Sequence, residues 1–341
     1  MSHCTDLGRL TGLRLSTPMM MDPKAACNQP GPTGDQPDSR GAPSRGKFVK
    51  GDDRPNPVAF SHDLEAVKPP AAWAGKIAEF GIGLEDAEVE QLGKYLAALM
   101  DVNTRTNLTA IRDADEAWGR HIFDALTLVP VLGEMGGDED KEKTPSDLED
   151  SATSPVRTGE ERGKRRRVID VGSGGGLPGI PLAIAMPEID FVLLDATKRK
   201  TDFIENCVAW LGLTNVTVIN GRAEGVGQDK GSKVLQGHTG GHREKYDGAM
   251  ARAVGKVAMI AELTVPLVKV GGLVVLTKGE KAGEEVADAK KALHMLHTHH
   301  VGTIETPTGR VVVLEKQRAT PKMYPRRDGE PKRMPLGIAS K

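Results

Sequence analysis

RVIDVGSGGGLPGIPLAIAMPEIDFVLLD, residues 167–195, decides how the rest of the chain is read. Val168, Ile169 and Val171 form a short apolar run of the kind that becomes a buried parallel strand. Gly172, Gly174, Gly175 and Gly176 follow. Such a cluster lets the backbone turn sharply and lets a ligand approach the main chain without meeting a Cβ. Residues 177–186 are apolar over the length of a helix, with Pro178 suited to its first turn. A second apolar run, 191–194, ends on Asp195. An acid about 20 residues past a glycine turn suits a ribose hydroxyl pair. Strand, glycine turn, helix, strand and acid make half of a nucleotide-binding α/β fold. A surface turn that binds nothing would not need four glycines, each of which costs folding entropy.

Two ligand classes fit. Gly174-x-Gly176-x-x-Gly179 matches the dinucleotide fingerprint, and Asp170-x-Gly172-x-Gly174-x-Gly176 matches the acid-plus-glycines loop of S-adenosylmethionine (SAM) methyltransferases. In the first pattern the leading glycine sits late, after the strand has already turned, which favours the second.

Working outward, apolar runs and helical periods keep alternating. Helix is expected at 201–211, 257–268 and 284–296, and strand at 216–220, 246–251, 273–278 and 311–316. This alternation implies a parallel sheet wound on both sides. Upstream, Val89, Leu92, Leu96 and Leu99 recur at helical spacing within 84–100, as do Trp118, Ile122, Phe123 and Leu126 within 115–128. These helices precede the first strand and are expected to cap one side of the sheet.

Three segments break the pattern. Residues 1–57 are rich in Pro, Gly, Asp and Ser and too poor in apolar groups to bury. Arg9 and Arg14 among Ser, Thr and Leu suit a transit peptide, while Asp6 and Asp22 oppose one. Residues 134–164 and 226–244 read as disordered insertions in a methyltransferase domain spanning 58–341. The basic end of the first, Lys164 to Arg167, reads as a solvated flank. The net charge of −1 over 341 residues argues neither for nor against nucleic acid, so the local distribution matters. Cys4, Cys27 and Cys207 are odd in number and far apart, which excludes a disulfide framework and points to a reducing compartment. No apolar run approaches the length of a membrane span.

Several separate blocks then resemble one family: NLTAIRD (107–113), RHIFDAL (120–126), VIDVGSGGGLPGIPLAI (168–184), LLDATKRKTDFI (193–204), NGRAE (220–224), ARAV (251–254), LTKG (276–279) and the tail 310–336. The family is the bacterial-type ribosomal RNA small subunit methyltransferase G, also called glucose-inhibited division protein B. Departures are modest: Asp124-Ala125 stands where the family usually has Asp-Ser, and Val102 replaces a common Trp. The resemblance implies a Rossmann-like class I SAM-dependent methyltransferase with a mostly parallel seven-stranded sheet and N-terminal cap helices. It implies methylation of N7 of a guanine in 16S-type ribosomal RNA. The expected partner is small-subunit rRNA or a 30S particle, and the expected state is a monomer without membrane attachment. The compartment is the cytoplasm if the source is bacterial, and a plastid or other organelle if it is eukaryotic; the N-terminal extension favours the latter.

Carried onto this sequence, the resemblance assigns Gly172, Gly174, Leu177, Asp195, Ala223, Glu224 and Arg252 to the cofactor. Arg252 ends a strand at the sheet's carboxyl edge, where a cation serves the SAM carboxylate or RNA phosphate; an ion pair with Asp170 or Asp195 is the structural alternative. Arg120, His121, Lys198, Lys278, Arg326, Arg327 and Lys332 are the candidate RNA contacts, with Tyr324 as a stacking ring. N7 carries a lone pair, so the reaction needs orientation and exclusion of water rather than a general base. No catalytic residue is therefore assigned. Neither is a metal: His294, His297, His299 and His300 read as a solvated helix end. The competing functions are a non-catalytic RNA-binding or ribosome-assembly factor on the same fold and an NAD-type oxidoreductase.

Overall fold

Strand β1 (Arg167–Val171) sends Val168 to one face of the sheet and Ile169 and Val171 to the other, as the period of two requires. Strand β2 (Asp190–Asp195) divides Phe191 and Leu193 from Val192 and Leu194 in the same way. A sheet apolar on both faces must be covered on both. The computed structural model describes residues 56–135, 165–229, 231 and 241–337, and the fold is that of the unit Pro57–Lys341. Its further strands are β3 (Val216–Asn220), β4 (Tyr246–Arg252), β5 (Val268–Lys278), β6 (Thr298–Thr306) and β7 (Gly309–Lys316). They lie in the order β3-β2-β1-β4-β5-β7-β6. Strands β1 to β5 pair in parallel, and β7 runs antiparallel to both β5 and β6. This is the mostly parallel, seven-stranded, doubly wound sheet that the sequence led one to expect.

One face is covered by helices Trp73–Glu79, Asp86–Asn103, Gly179–Ala185 and Lys198–Leu211, together with the segment 114–133. The other carries Ala223–Gln228, Val257–Thr264 and Ala282–Met295. Helix Asp86–Asn103 starts where the Glu85 N–H donates to Glu88 Oε2 at 2.8 Å in a capping box. Its Leu92, Tyr95, Leu96 and Leu99 form one wholly buried stripe.

The structure departs from the sequence reading at several boundaries. The helix expected over 177–186 is Gly179–Ala185. That expected over 257–268 ends at Thr264, and β5 starts at Val268 after a 3-10 turn. The cap helix expected at 115–128 is composite: Ala114–Ala117, a π turn over Trp118–Phe123, then Asp124–Leu126. Strand β6 was not anticipated. His299 and His300 belong to it rather than to a helix end, and His299 Nε2 lies 3.7 Å from Glu315.

Ordered packing also reaches into both stretches read as insertions. Met135 is buried where a Cβ on Gly248 would collide with it. Arg166 caps the helix before it by donating to Leu132 O, Gly133 O and Met135 O. Arg167 lies over the Tyr246 ring at 5.1 Å, so Arg166 and Arg167 are structural, while Arg165 is exposed and Lys164 lies outside the described residues. Val226, Asp229, His242 and Arg243 are buried at the flanks of the second stretch. Residues 136–164, 230, 232–240 and the N-terminal 1–55 lie outside the described residues. Among the described residues no helix is long and apolar enough to cross a membrane.

Candidate active site

Strands β1 and β4 are neighbours, but the chain leaves β1 for one face and β4 for the other. Open α/β sheets bind ligands in the crevice this divergence makes at the carboxyl ends. The glycine loop forms its floor. The Gly172 and Ser173 N–H groups donate to Leu194 O at 2.8 and 3.1 Å. Gly174 has φ +60°, and a Cβ there would meet nothing nearer than Gly172 O at 3.9 Å. Only glycine takes that backbone at no cost, and the space beside it is open. Behind the loop, Gly179 packs so closely on Leu193 that a Cβ would collide. From the cap side the buried Tyr95 hydroxyl donates to Gly175 O at 2.8 Å, tying the loop to helix Asp86–Asn103.

Asp195 sits at the tip of β2 as expected. Its Oδ2 accepts from the Gly174 N–H at 3.0 Å and its Oδ1 from the Thr197 N–H at 2.8 Å. Lys200 Nζ lies 3.8 Å from the same Oδ2. Asp170, the penultimate residue of β1, is 0% exposed. Its Oδ2 accepts from the Gly179 N–H at 3.2 Å, and its Oδ1 has no hydrogen-bond partner among the described residues. Burial pushes this carboxyl up to about 8, against the lowering pull of the Gly179 N–H.

Arg252 stands at the tip of β4, also as expected, but neither anticipated acid holds it. Its Nε meets Asp124 Oδ2 at 3.0 Å, and its Nη2 donates to Arg120 O. Its Nη1 is buried without a partner among the described residues. Asp170 Oδ1 and Arg252 Nη1 are thus two buried, unmet groups on adjacent strands, a carboxyl oxygen and a guanidinium N–H. Such groups are costly to bury unless a ligand completes them.

His121, a candidate RNA contact, is buried instead. Its Nε2 pairs with Thr109 Oγ1 at 2.8 Å and its Nδ1 with Arg120 O at 3.2 Å. Burial, helped by the Arg252 charge, lowers it to about 4, so the ring is neutral at physiological pH. Leu177 is half-buried and packs on the cap-side core. Ala223 and Glu224 are buried where a helix starts after β3, and Glu224 Oε1 accepts from the Gly329 N–H at 2.9 Å. The tail therefore lies against the expected adenine edge.

The basic candidates divide by what holds them. Arg326 is not a spare cation: its Nε and Nη2 meet Glu262 Oε1 and Oε2 at 2.9 and 2.7 Å, and Glu262 is 0% exposed. Tyr324 is buried as well, so it offers no open stacking face. Lys278 pairs with Glu285 at 2.8 Å and donates to Gly255 O. Lys198 pairs with Asp202, and Arg120 with Glu116 at 3.0 Å, both at exposed i,i+4 positions. Arg327 and Lys332 are exposed and take part in no ion pair among the described residues.

Sequence reasoning missed the residues that hold these groups in place. Asp124 and Tyr95 read as helix residues. Arg243, read as part of an insertion, donates to Gly227 O, Thr320 O, Pro321 O and Tyr324 O and so straps the tail down. A lone acid just after a helical Arg-His pair was the available signal for Asp124.

Comparison with known proteins points one way. The GidB family model, described as rRNA small subunit methyltransferase G, matches residues 88–137 and 146–311. Ribosomal RNA small subunit methyltransferase G of Sorangium cellulosum is 39% identical over 259 residues, covering 76% of this chain and 92% of that protein. The protein of the same name from Leuconostoc citreum is 32% identical, covering 78% of this chain and 98% of its own length. Among solved structures, an rRNA methylase from Streptococcus thermophilus aligns at 15% identity and a TM-score of 0.33, over 45% of this chain and 88% of that one.

Proposed function

The chain belongs to the ribosomal RNA small subunit methyltransferase G family, and on that premise we propose that it methylates N7 of a guanine in small-subunit ribosomal RNA, with SAM as the donor. The observation that carries the reading is the pair of unmet groups in the crevice, Asp170 Oδ1 and Arg252 Nη1. The methionine end of SAM is a zwitterion, with an ammonium for the first and a carboxylate for the second. An ammonium beside Asp170 would favour its ionised form, and a carboxylate beside Arg252 would make a charge-assisted hydrogen bond. The residues present therefore fit the cofactor. On this reading Asp195 serves the ribose hydroxyls, Gly174 leaves the ligand room, and Ala223 lies beside the adenine ring.

Bound SAM supplies an electrophilic methyl group on a sulfonium. The chain's own task is to orient the acceptor and keep water out, because guanine N7 already carries a lone pair and loses no proton. His121 fits this division of labour: both its ring nitrogens are occupied within the cap. RNA phosphate falls to exposed cations, Arg327 and Lys332 in the tail and Arg199 after β2.

Gly174→Val tests the reading. The valine would point into ligand space from a strained backbone angle, at a cost of about 1–2 kcal/mol to a protein that stays folded. We expect wild-type protein to bind SAM in calorimetry and to methylate small-subunit rRNA at a guanine N7 detected by mass mapping. The variant should bind SAM at least about a hundredfold more weakly, as when a Cβ fills ligand space. Wild-type SAM affinity in the folded variant would sink the loop assignment.

A further inference from the structure

The helix that carries Arg120 and Asp124 is not regular. Over Trp118–Phe123 it widens to a π turn, and the Asp124 N–H reaches back to Gly119 O. In an α-helix that N–H would take Arg120 O. Here Arg120 O accepts from Arg252 Nη2, while the Asp124 carboxylate, itself buried, takes Arg252 Nε at 3.0 Å. The π turn therefore presents a carbonyl and a carboxylate to one guanidinium, across 128 residues of chain. Two of its three nitrogens are held and the third, Nη1, is left without a partner. π turns inside α-helices recur at functional sites, since their widened register re-aims backbone groups.

We propose that Asp124, with the carbonyl of Arg120, is a positioning device that fixes the Arg252 guanidinium so that Nη1 is presented to the carboxylate of SAM. This rests on the reading of Arg252 given above. The acid has no need to touch the cofactor. Its work is preorganisation: an arginine already fixed in its bound geometry loses less side-chain freedom when the ligand arrives. The device also explains why the cap helices are joined to the cleft by a charge rather than by apolar contact alone. An apolar side chain at 124 would leave Nε buried and unmet as well.

The test uses the full-length protein, SAM calorimetry, and steady-state methylation of small-subunit rRNA with each substrate varied in turn. Asp124→Asn keeps an acceptor but removes the charge. It should weaken SAM binding about tenfold, the step from a charge-assisted to a neutral hydrogen bond. It should raise the KM for SAM by a similar factor and leave the KM for RNA unchanged. Arg252→Lys should weaken SAM at least as much, and adding Asp124→Asn to it should cost nothing further, because the two act as one unit. Wild-type SAM affinity in Asp124→Asn, with Arg252→Lys impaired, overturns the proposal even where the melting temperature has fallen. Wild-type affinity in Arg252→Lys overturns the reading of Arg252, and the proposal with it. Should Asp124→Asn fail to fold, Asp124→Glu replaces it. It shifts the same charge by one methylene, should weaken SAM about threefold through misplacement, and overturns the proposal if affinity is unchanged.

Discussion

Arg252 in the crevice and Arg326 in the tail are both guanidiniums facing buried carboxylates, and they end in opposite conditions. Arg326 is complete: Nε and Nη2 fork onto Glu262, Nη2 also reaches Met334 O, and Nη1 lies 3.7 Å from Glu330. Arg252 is paired on one edge and left open on the other. The tail arginine closes the fold, while the arginine of β4 keeps one nitrogen without a partner among the described residues. A cation's place in the sequence does not reveal which of these it is; the accounting of its donors does.

The largest effect should come from breaking the complete pair. Glu262→Ala leaves the Arg326 guanidinium without its carboxylate and should cost about 3 kcal/mol, or roughly 6–12 °C in melting temperature, when followed by denaturant and thermal unfolding. An unchanged melting temperature would show that the tail is not locked by this pair.

A smaller effect separates the two regions by pH. His121 stands beside Arg252 and is lowered to about 4, below its value in the unfolded chain. Its contribution to stability is therefore full above about pH 6.5 and is lost as pH falls through about 4. Between those limits the protein should lose about 2 kcal/mol on this account. His121→Asn should flatten that limb in urea titrations at pH 7, 5.5 and 4.5. If the variant keeps the wild-type slope, the acid limb originates elsewhere.

The smallest effect concerns the exposed charges. Arg327→Ala with Lys332→Ala should leave stability within about 0.5 kcal/mol, as surface changes do. The same pair should lower the log–log salt slope of RNA binding by roughly one unit per lost phosphate contact. Arg326→Ala should do the reverse, losing stability and keeping the slope. An unaltered slope in the double variant would remove these two side chains from the RNA interface.

What could be read from sequence follows the range of the interaction. The glycine loop, β1, β2 and the wound sheet were legible because their signals are local: a period of two, a glycine cluster and an acid at the next strand tip. The positions of Asp195 and Arg252 at strand tips were legible for the same reason, since each ends its strand. Strand β6 was missed because it is short of apolar residues and irregular, with polar residues at Thr298, His299 and His300 and a register shift before Gly302. Asp124 and Glu262 were missed because the arginines they hold are remote in sequence. A charge in a helix looks alike whether it faces water or a buried guanidinium.

The hydrogen bond from Tyr95 to Gly175 has a consequence for the order of synthesis. The helix that braces the cofactor loop is made first, and its apolar stripe of Leu92, Leu96 and Leu99 has no sheet to cover until β1 and β2 have left the ribosome. That interval is roughly ninety residues of chain, about 5–20 s at ordinary elongation rates. During it the N-terminal helices are a half-built brace with an uncovered oily side. The nascent chain must shelter that side, by transient helix–helix contact or by a chaperone, before the loop it supports exists.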